Sequence, residues 1–104
     1  MLNWVTTYLS FRLADPVSVA EMAQRAGFSP SHFANLFRKH FGCPPHRYLV
    51  YLRLEHARDL LESTTYTLQQ IALRSGFANA QHFARTFKRE TGETPGAYRR
   101  RTQK

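Results

Sequence analysis

Asn35, Gln81 and Arg85 each carry paired hydrogen-bonding groups within segments of helical periodicity. An arginine guanidinium offers two parallel donors that suit O6 and N7 of guanine, and the amide of asparagine or glutamine sets a donor beside an acceptor, as N6 and N7 of adenine require. Each good pair of this kind discriminates between bases by about 1–3 kcal/mol. At about 100° per residue, Gln81, Arg85 and Lys88 share one face of their helix, and Ser31, Asn35 and Arg38 share the matching face of an earlier one. Arg38, Lys39, Lys88 and Arg89 lie further along these helices, where cations would meet phosphates and set register and affinity without reading sequence. Ala34 and Ala84 sit at the edge of the polar faces, where a small side chain allows close approach. Singly, each residue is an ordinary solvated charge or amide; their recurrence in two segments favours a designed surface.

The recurrence is detailed. The stretch GFANAQHFARTFKRETGETPGAY, from Gly76 to Tyr98, is echoed by GFSPSHFANLFRKHFGCPPHRY, from Gly27 to Tyr48. Gly, Phe, Phe, Phe, Gly, Pro and Tyr recur in the same order, and the second copy has one extra residue at or beside Ala78. Two copies are too few for a solenoid, which needs at least three stacked units, so a tandem pair of binding modules is expected. Phe33 and Phe37 in one copy, and Phe83 and Phe87 in the other, are one turn apart and are expected to face inward.

The elements that position these faces follow in chain order. Leu2, Val5, Leu9 and Leu13 form a helical stripe that Asp15-Pro16 should end in a turn. Ser18 and Glu21 are spaced as a capping box ahead of Val19, Met22, Ala23 and Ala26, and Gly27 should stop that helix. Thr67, Gln70 and Gly76 repeat these devices around Leu68, Ile71, Ala72 and Ser75. Ser29-Pro30 and Asn79 are good starts for the helices that follow, which makes each unit a helix, a short glycine-containing turn and a helix. Pro45 to about Glu62 reads as one long helix, within which Arg58 and Glu62 are a turn apart. After Thr94-Pro95 a last short helix should hold Tyr98, trailed by Arg99, Arg100, Arg101 and Lys104, a run expected either to touch phosphate or to stay solvated. The division expected is a first subdomain over 1–44, a linker helix over 45–62 and a second subdomain over 63–104.

Composition bounds the function. Fifteen Lys and Arg against seven Asp and Glu give a formal charge of +8. That excess on 104 residues points to a polyanion, with nucleic acid ahead of a membrane surface. A single cysteine, Cys43, allows no internal disulfide and suits a reducing compartment, so a cytoplasmic, nucleoid-associated location is expected. His32, His40, His46, His56 and His82 show no metal-ligand spacing, and no metal or other cofactor is expected. No apolar run approaches the roughly 20 residues of a membrane span. An enzyme is not expected either: Ser31 and His32 are adjacent but point to different faces of a helix, and no carboxylate is spaced to orient the histidine.

The motif IALRSGF over Ile71 to Phe77, the F-x-x-x-F-K of Phe83 to Lys88 and the G-x-x-P-x-x-Y of Gly92 to Tyr98 resemble the signature of the DNA-binding domain of AraC/XylS-family bacterial transcription regulators. The resemblance covers essentially the whole chain. It implies an all-α, homeodomain-like fold of seven helices, with two helix-turn-helix subdomains joined by the long helix and two reading helices in successive major grooves of double-stranded DNA. By position it implies base contacts from Ser31, Ala34 and Asn35 in the first reading helix, and from Ala80, Gln81, His82 and Arg85 in the second. Ala34 and Ala80 can offer only apolar contact, so readout should lean on the second unit. The resemblance also implies activation more often than repression, with RNA polymerase as a protein partner. Relatives often carry an effector or dimerisation domain ahead of this one, and none fits within these residues, so the expectation is either the DNA-binding part of a longer regulator or a short regulator. The alternative from another class is a helical protein-interaction module with only non-specific DNA affinity.

Overall fold

The computed structural model describes residues 2–15 and 17–103, with Asn3 described by its backbone alone. Pro16 of the expected turn and Lys104 of the basic tail lie outside the described residues. Among the described residues the chain is all-α, with seven helices: α1 (Asn3–Phe11), α2 (Val19–Ala26), α3 (Pro30–Phe41), α4 (Pro45–Ser63), α5 (Leu68–Arg74), α6 (Ala80–Thr91) and α7 (Pro95–Thr102). They fall into two compact units, Met1–Leu52 and Arg53–Lys104, with the boundary inside α4.

In the first unit, helical spacing brings Leu2, Val5 and Leu9 together with Met22 and Ala23 of α2, Phe33 and Phe37 of α3 and Leu49 of α4 into one buried cluster. Phe37, Phe41 and Tyr48 add ring contacts at 4.3–5.6 Å between centroids, which α3 and the first turn of α4 make on each other. The expected first helix ends two residues early, at Phe11 and not Leu13. Arg12 and Asp15 close a turn there instead, through the Asp15 N–H to the Arg12 carbonyl and a 3.0 Å ion pair between their side chains. Leu13 still packs on the core from outside the helix.

Gly27 ends α2 as expected, but the capping box at its start departs from expectation. Ser18 accepts the Glu21 N–H at 3.1 Å, but the Glu21 carboxylate does not reach back. It accepts instead from the Tyr8 hydroxyl and from Arg12, which also donates to Tyr8 Oη at 2.8 Å. A charged donor and a phenol from α1 outcompete the single backbone N–H, so this box is half formed and its carboxylate ties α1 to α2.

The second unit buries Leu54, Ala57 and Leu61 of α4 with Ile71, Ala72, Phe77, Phe83 and Phe87. Here the capping box is complete: Thr67 accepts from Gln70 N–H and Gln70 Oε1 accepts from Thr67 N–H. Ser75, expected on the apolar stripe, is buried at the end of α5, with its hydroxyl 3.0 Å from His56 Nδ1 of α4. Arg58 pairs with Glu55 at 3.0 Å and not with Glu62, whose carboxylate takes the Tyr98 hydroxyl. The basic tail is ordered helix up to Thr102. Arg99 donates to the carbonyls of Leu61, Thr64 and Tyr66 at 3.2, 3.1 and 2.7 Å, closing the end of α4 and its connector, and Arg101 pairs with Glu93.

Candidate nucleic-acid interface

In each unit the turn before the second helix is set by glycine. Gly27 has φ +78° and Gly76 φ +89°, backbone that a side chain disfavours by about 1–2 kcal/mol. The reversal lets Phe28 N–H reach Ala23 O, and Phe77 N–H reach Ala72 O, so the chain leaves one helix and starts the next within a few residues. Ser29 and Asn79 then cap α3 and α6 by accepting from His32 N–H and His82 N–H at 3.3 and 2.8 Å. Pro30 occupies the first position of α3, where a missing N–H costs nothing.

The inner faces are as the periodicity requires: Phe33, Phe37, Phe83 and Phe87 are each fully buried. On the outer face of α3, Ser31, Asn35, Arg38 and Lys39 are exposed and Ala34 is half-buried; on α6, Gln81, His82, Arg85, Lys88 and Arg89 are exposed and Ala80 is half-buried. Seven residues expected to read bases and four expected to meet phosphate thus lie on the outer sides of α3 and α6, with the methyl groups of Ala34 and Ala80 at the margins. His82 is exposed, but its ring packs edge-on to Phe77 at 5.6 Å, and His32 packs on Phe28 in the same way at 4.9 Å. This repeated His–Phe pair was not singled out in the sequence, although both residues recur in the two copies.

Engagement sorts most of the cations, although Arg100 of α7 is also exposed with an uncommitted side chain. Arg12, Arg58, Arg99 and Arg101 are held by carboxylates or carbonyls, and Arg25 and Arg74 lie over the rings of Tyr8 and Tyr66 at 4.8 and 4.4 Å. Among the described residues, the side chains of Asn35, Arg38, Lys39, Gln81, Arg85 and Lys88 make no hydrogen bond or ion pair within the chain. Arg89 touches its neighbour Glu90 at 3.1 Å. Neither helix has an acidic residue in its first turn, and both carry basic residues in the last, Arg38, Lys39 and His40 in α3 and Lys88 and Arg89 in α6. Those last-turn cations also suit the negative end of each helix dipole. The faces are therefore cationic and hydrogen-bonding with unused capacity, a surface fitted to an anionic ligand with addressable donor and acceptor edges.

Two other features stand outside these faces. Burial pushes the Arg53 guanidinium of α4 below its usual range, and the hydrogen bond from Arg101 holds the Glu93 carboxyl below its own. Among the described residues no group of three or more His, Cys, Asp or Glu is placed to hold a metal ion, and no helix is long and apolar enough to cross a membrane.

Two successive helix-turn-helix units with buried phenylalanine pairs define a tandem helix-turn-helix domain. Residues 13–101 match the family described as a helix-turn-helix domain. The DNA-binding domain of AdpA, a global transcriptional factor solved in complex with a target DNA, is 31% identical, with a TM-score of 0.91 over 96% of this chain and 90% of that one. A transcriptional regulator from Chromobacterium violaceum with an AraC-type DNA-binding domain is 30% identical, with a TM-score of 0.89 over 97% and 90%. Among curated proteins, an HTH-type transcriptional regulator of Staphylococcus aureus strain COL is 38% identical over 98 residues, 94% of this chain; the chain spans 13% of that relative's length. The chain belongs to the AraC-type helix-turn-helix family.

Proposed function

We propose that the chain binds double-stranded DNA sequence-specifically as the DNA-reading part of a bacterial transcription regulator, working in the cytoplasm at the nucleoid. α3 and α6 are the reading helices, placed in successive major grooves, with subdomains over 1–44 and 63–104 and the helix over 45–62 between them. Ser31, Ala34 and Asn35 read bases from α3, and Ala80, Gln81, His82 and Arg85 from α6. Arg38, Lys39, Lys88 and Arg89 meet phosphates. The observation that supports this best is the set of uncommitted donors on α3 and α6, since the other arginines with a described partner are spent inside the fold. The likeness to the AdpA domain, which was solved on DNA, supports the same reading.

Activation through contact with RNA polymerase is the mode proposed, and no catalytic step is part of it. Selection of bound duplexes from a random pool tests the reading. A recurrent site with two blocks about one helical turn apart is the expected result. Recovery of sequences no different from the input pool at physiological salt would contradict it and favour a protein-interaction module with only non-specific DNA affinity.

A further inference from the structure

Gln69 is the second residue of α5, yet its side chain serves another helix: Oε1 accepts the N–H of Ala80, the first residue of α6, at 3.2 Å. First-turn N–H groups have no partner within their own helix. In α6 the Asn79 side chain takes that of His82, and Gln69 takes that of Ala80. The first unit meets the same need differently. Its reading helix begins with Pro30, which has no N–H, and the position equivalent to Gln69 is Ala20, which has no acceptor in its side chain. Both members of the pair thus change together between the copies, as a dedicated bond between them requires.

We propose that Gln69 is a positioning residue for base readout, fixing the start of α6 against α5 and so orienting Gln81 and Arg85. This rests on α6 being a base-reading helix. The buried anchors of α6, Phe83, Thr86 and Phe87, lie beyond its first three residues. Ala80 to His82 are held by Asn79, by the contact of His82 with Phe77 and by Gln69. Gln81 sits in this stretch, next to the bonded residue. Loss of the Gln69 bond frees the start of the helix while the phenylalanine anchors stay in place, so orientation suffers and the fold does not.

The variants are Gln69→Ala, which removes the acceptor, and Gln69→Glu, which keeps it. In the free protein, hydrogen exchange at the Ala80 amide should quicken in Gln69→Ala and stay slow in Gln69→Glu. Against the duplex selected from a random pool, Gln69→Ala should lower the ratio of specific to random affinity about five-fold, the worth of one ordinary hydrogen bond, with random-duplex affinity unchanged. Gln69→Glu should restore the ratio, although its charge weakens binding to every duplex alike. In an Ala80→Pro background, where no N–H remains to hold, Gln69→Ala should change the ratio no further; the extended backbone at Asn79 (φ −161°, ψ 174°) accepts a following proline. A ratio that survives Gln69→Ala, or falls equally in the Ala80→Pro background, overturns the proposal while leaving α6 as a reading helix. A wild-type chain with no preference among duplexes overturns both, and unchanged Ala80 exchange in Gln69→Ala overturns the positioning role whatever α6 reads.

Discussion

Arginine does two kinds of work in this chain, and residue type does not separate them. Arg85 and Arg99 look alike in the sequence, each in a basic context near the end of the chain. Arg85 is exposed with its donors unused, whereas Arg99 spends three N–H groups on the carbonyls of Leu61, Thr64 and Tyr66. Periodicity could assign Arg85 to an outer face, but it could not reveal acceptors more than thirty residues away. Arg99→Ala should therefore lower unfolding free energy by about 2 kcal/mol, within the range for hydrogen bonds from a charged donor, and leave the preferred duplex unchanged. Denaturant titration and pool selection on the same variant check both halves. The Arg101–Glu93 pair makes a pH prediction. Because Arg101 holds the Glu93 carboxyl below its usual range, the pair contributes stability above the ordinary carboxylate pKa, and that contribution is lost as pH falls through the depressed value. Following the Glu93 carboxyl by NMR should show its midpoint rise in Arg101→Ala; an unmoved midpoint would remove Arg101 as the cause.

At the scale of elements, the repeated units are legible in detail and the unrepeated segments in outline: α4 ends within a residue of expectation, whereas α1 ends early. Phe33, Phe37, Phe83 and Phe87 recur at one-turn spacing, and all four are buried. The starts of α3 and α6 were readable because Ser29-Pro30 and Asn79 have local chemistry that suits a helix start. α1 has no echo and no side-chain cap, so nothing local marked its end at Phe11. Glu21 was misread because its competing partners, Tyr8 and Arg12, come from that same unechoed segment. The Gln69 bond is not legible in the sequence because it joins α5 to an N–H eleven residues on in α6, a separation that helical periodicity does not encode. Phe83→Ala should cost about 3–5 kcal/mol by leaving a cavity under α6. Gly27→Ala meets no atom within 4 Å, so its cost should be that of left-handed backbone alone, about 1–2 kcal/mol. Thermal unfolding of the two variants should rank them in that order.

For the whole molecule, the +8 charge suits an anionic ligand, and the uncommitted side-chain donors of α3 and α6 form the surface proposed to bind it. The two kinds of contact differ in how they respond to salt and to sequence. Phosphate contacts release counterions, so replacing one flattens the salt dependence by about one unit of slope and weakens all duplexes alike. A base contact discriminates, so its loss falls on the preferred site. The most direct test is competition binding of wild type, Arg85→Ala and Arg38→Ala between the selected duplex and random duplex over a range of salt. Arg85→Ala should lose about 1–3 kcal/mol of preference for the selected site, while Arg38→Ala keeps the preference, weakens all duplexes and flattens the salt dependence by about one unit of slope. If the two substitutions weaken every duplex equally, the division of α3 and α6 into reading and anchoring residues is wrong.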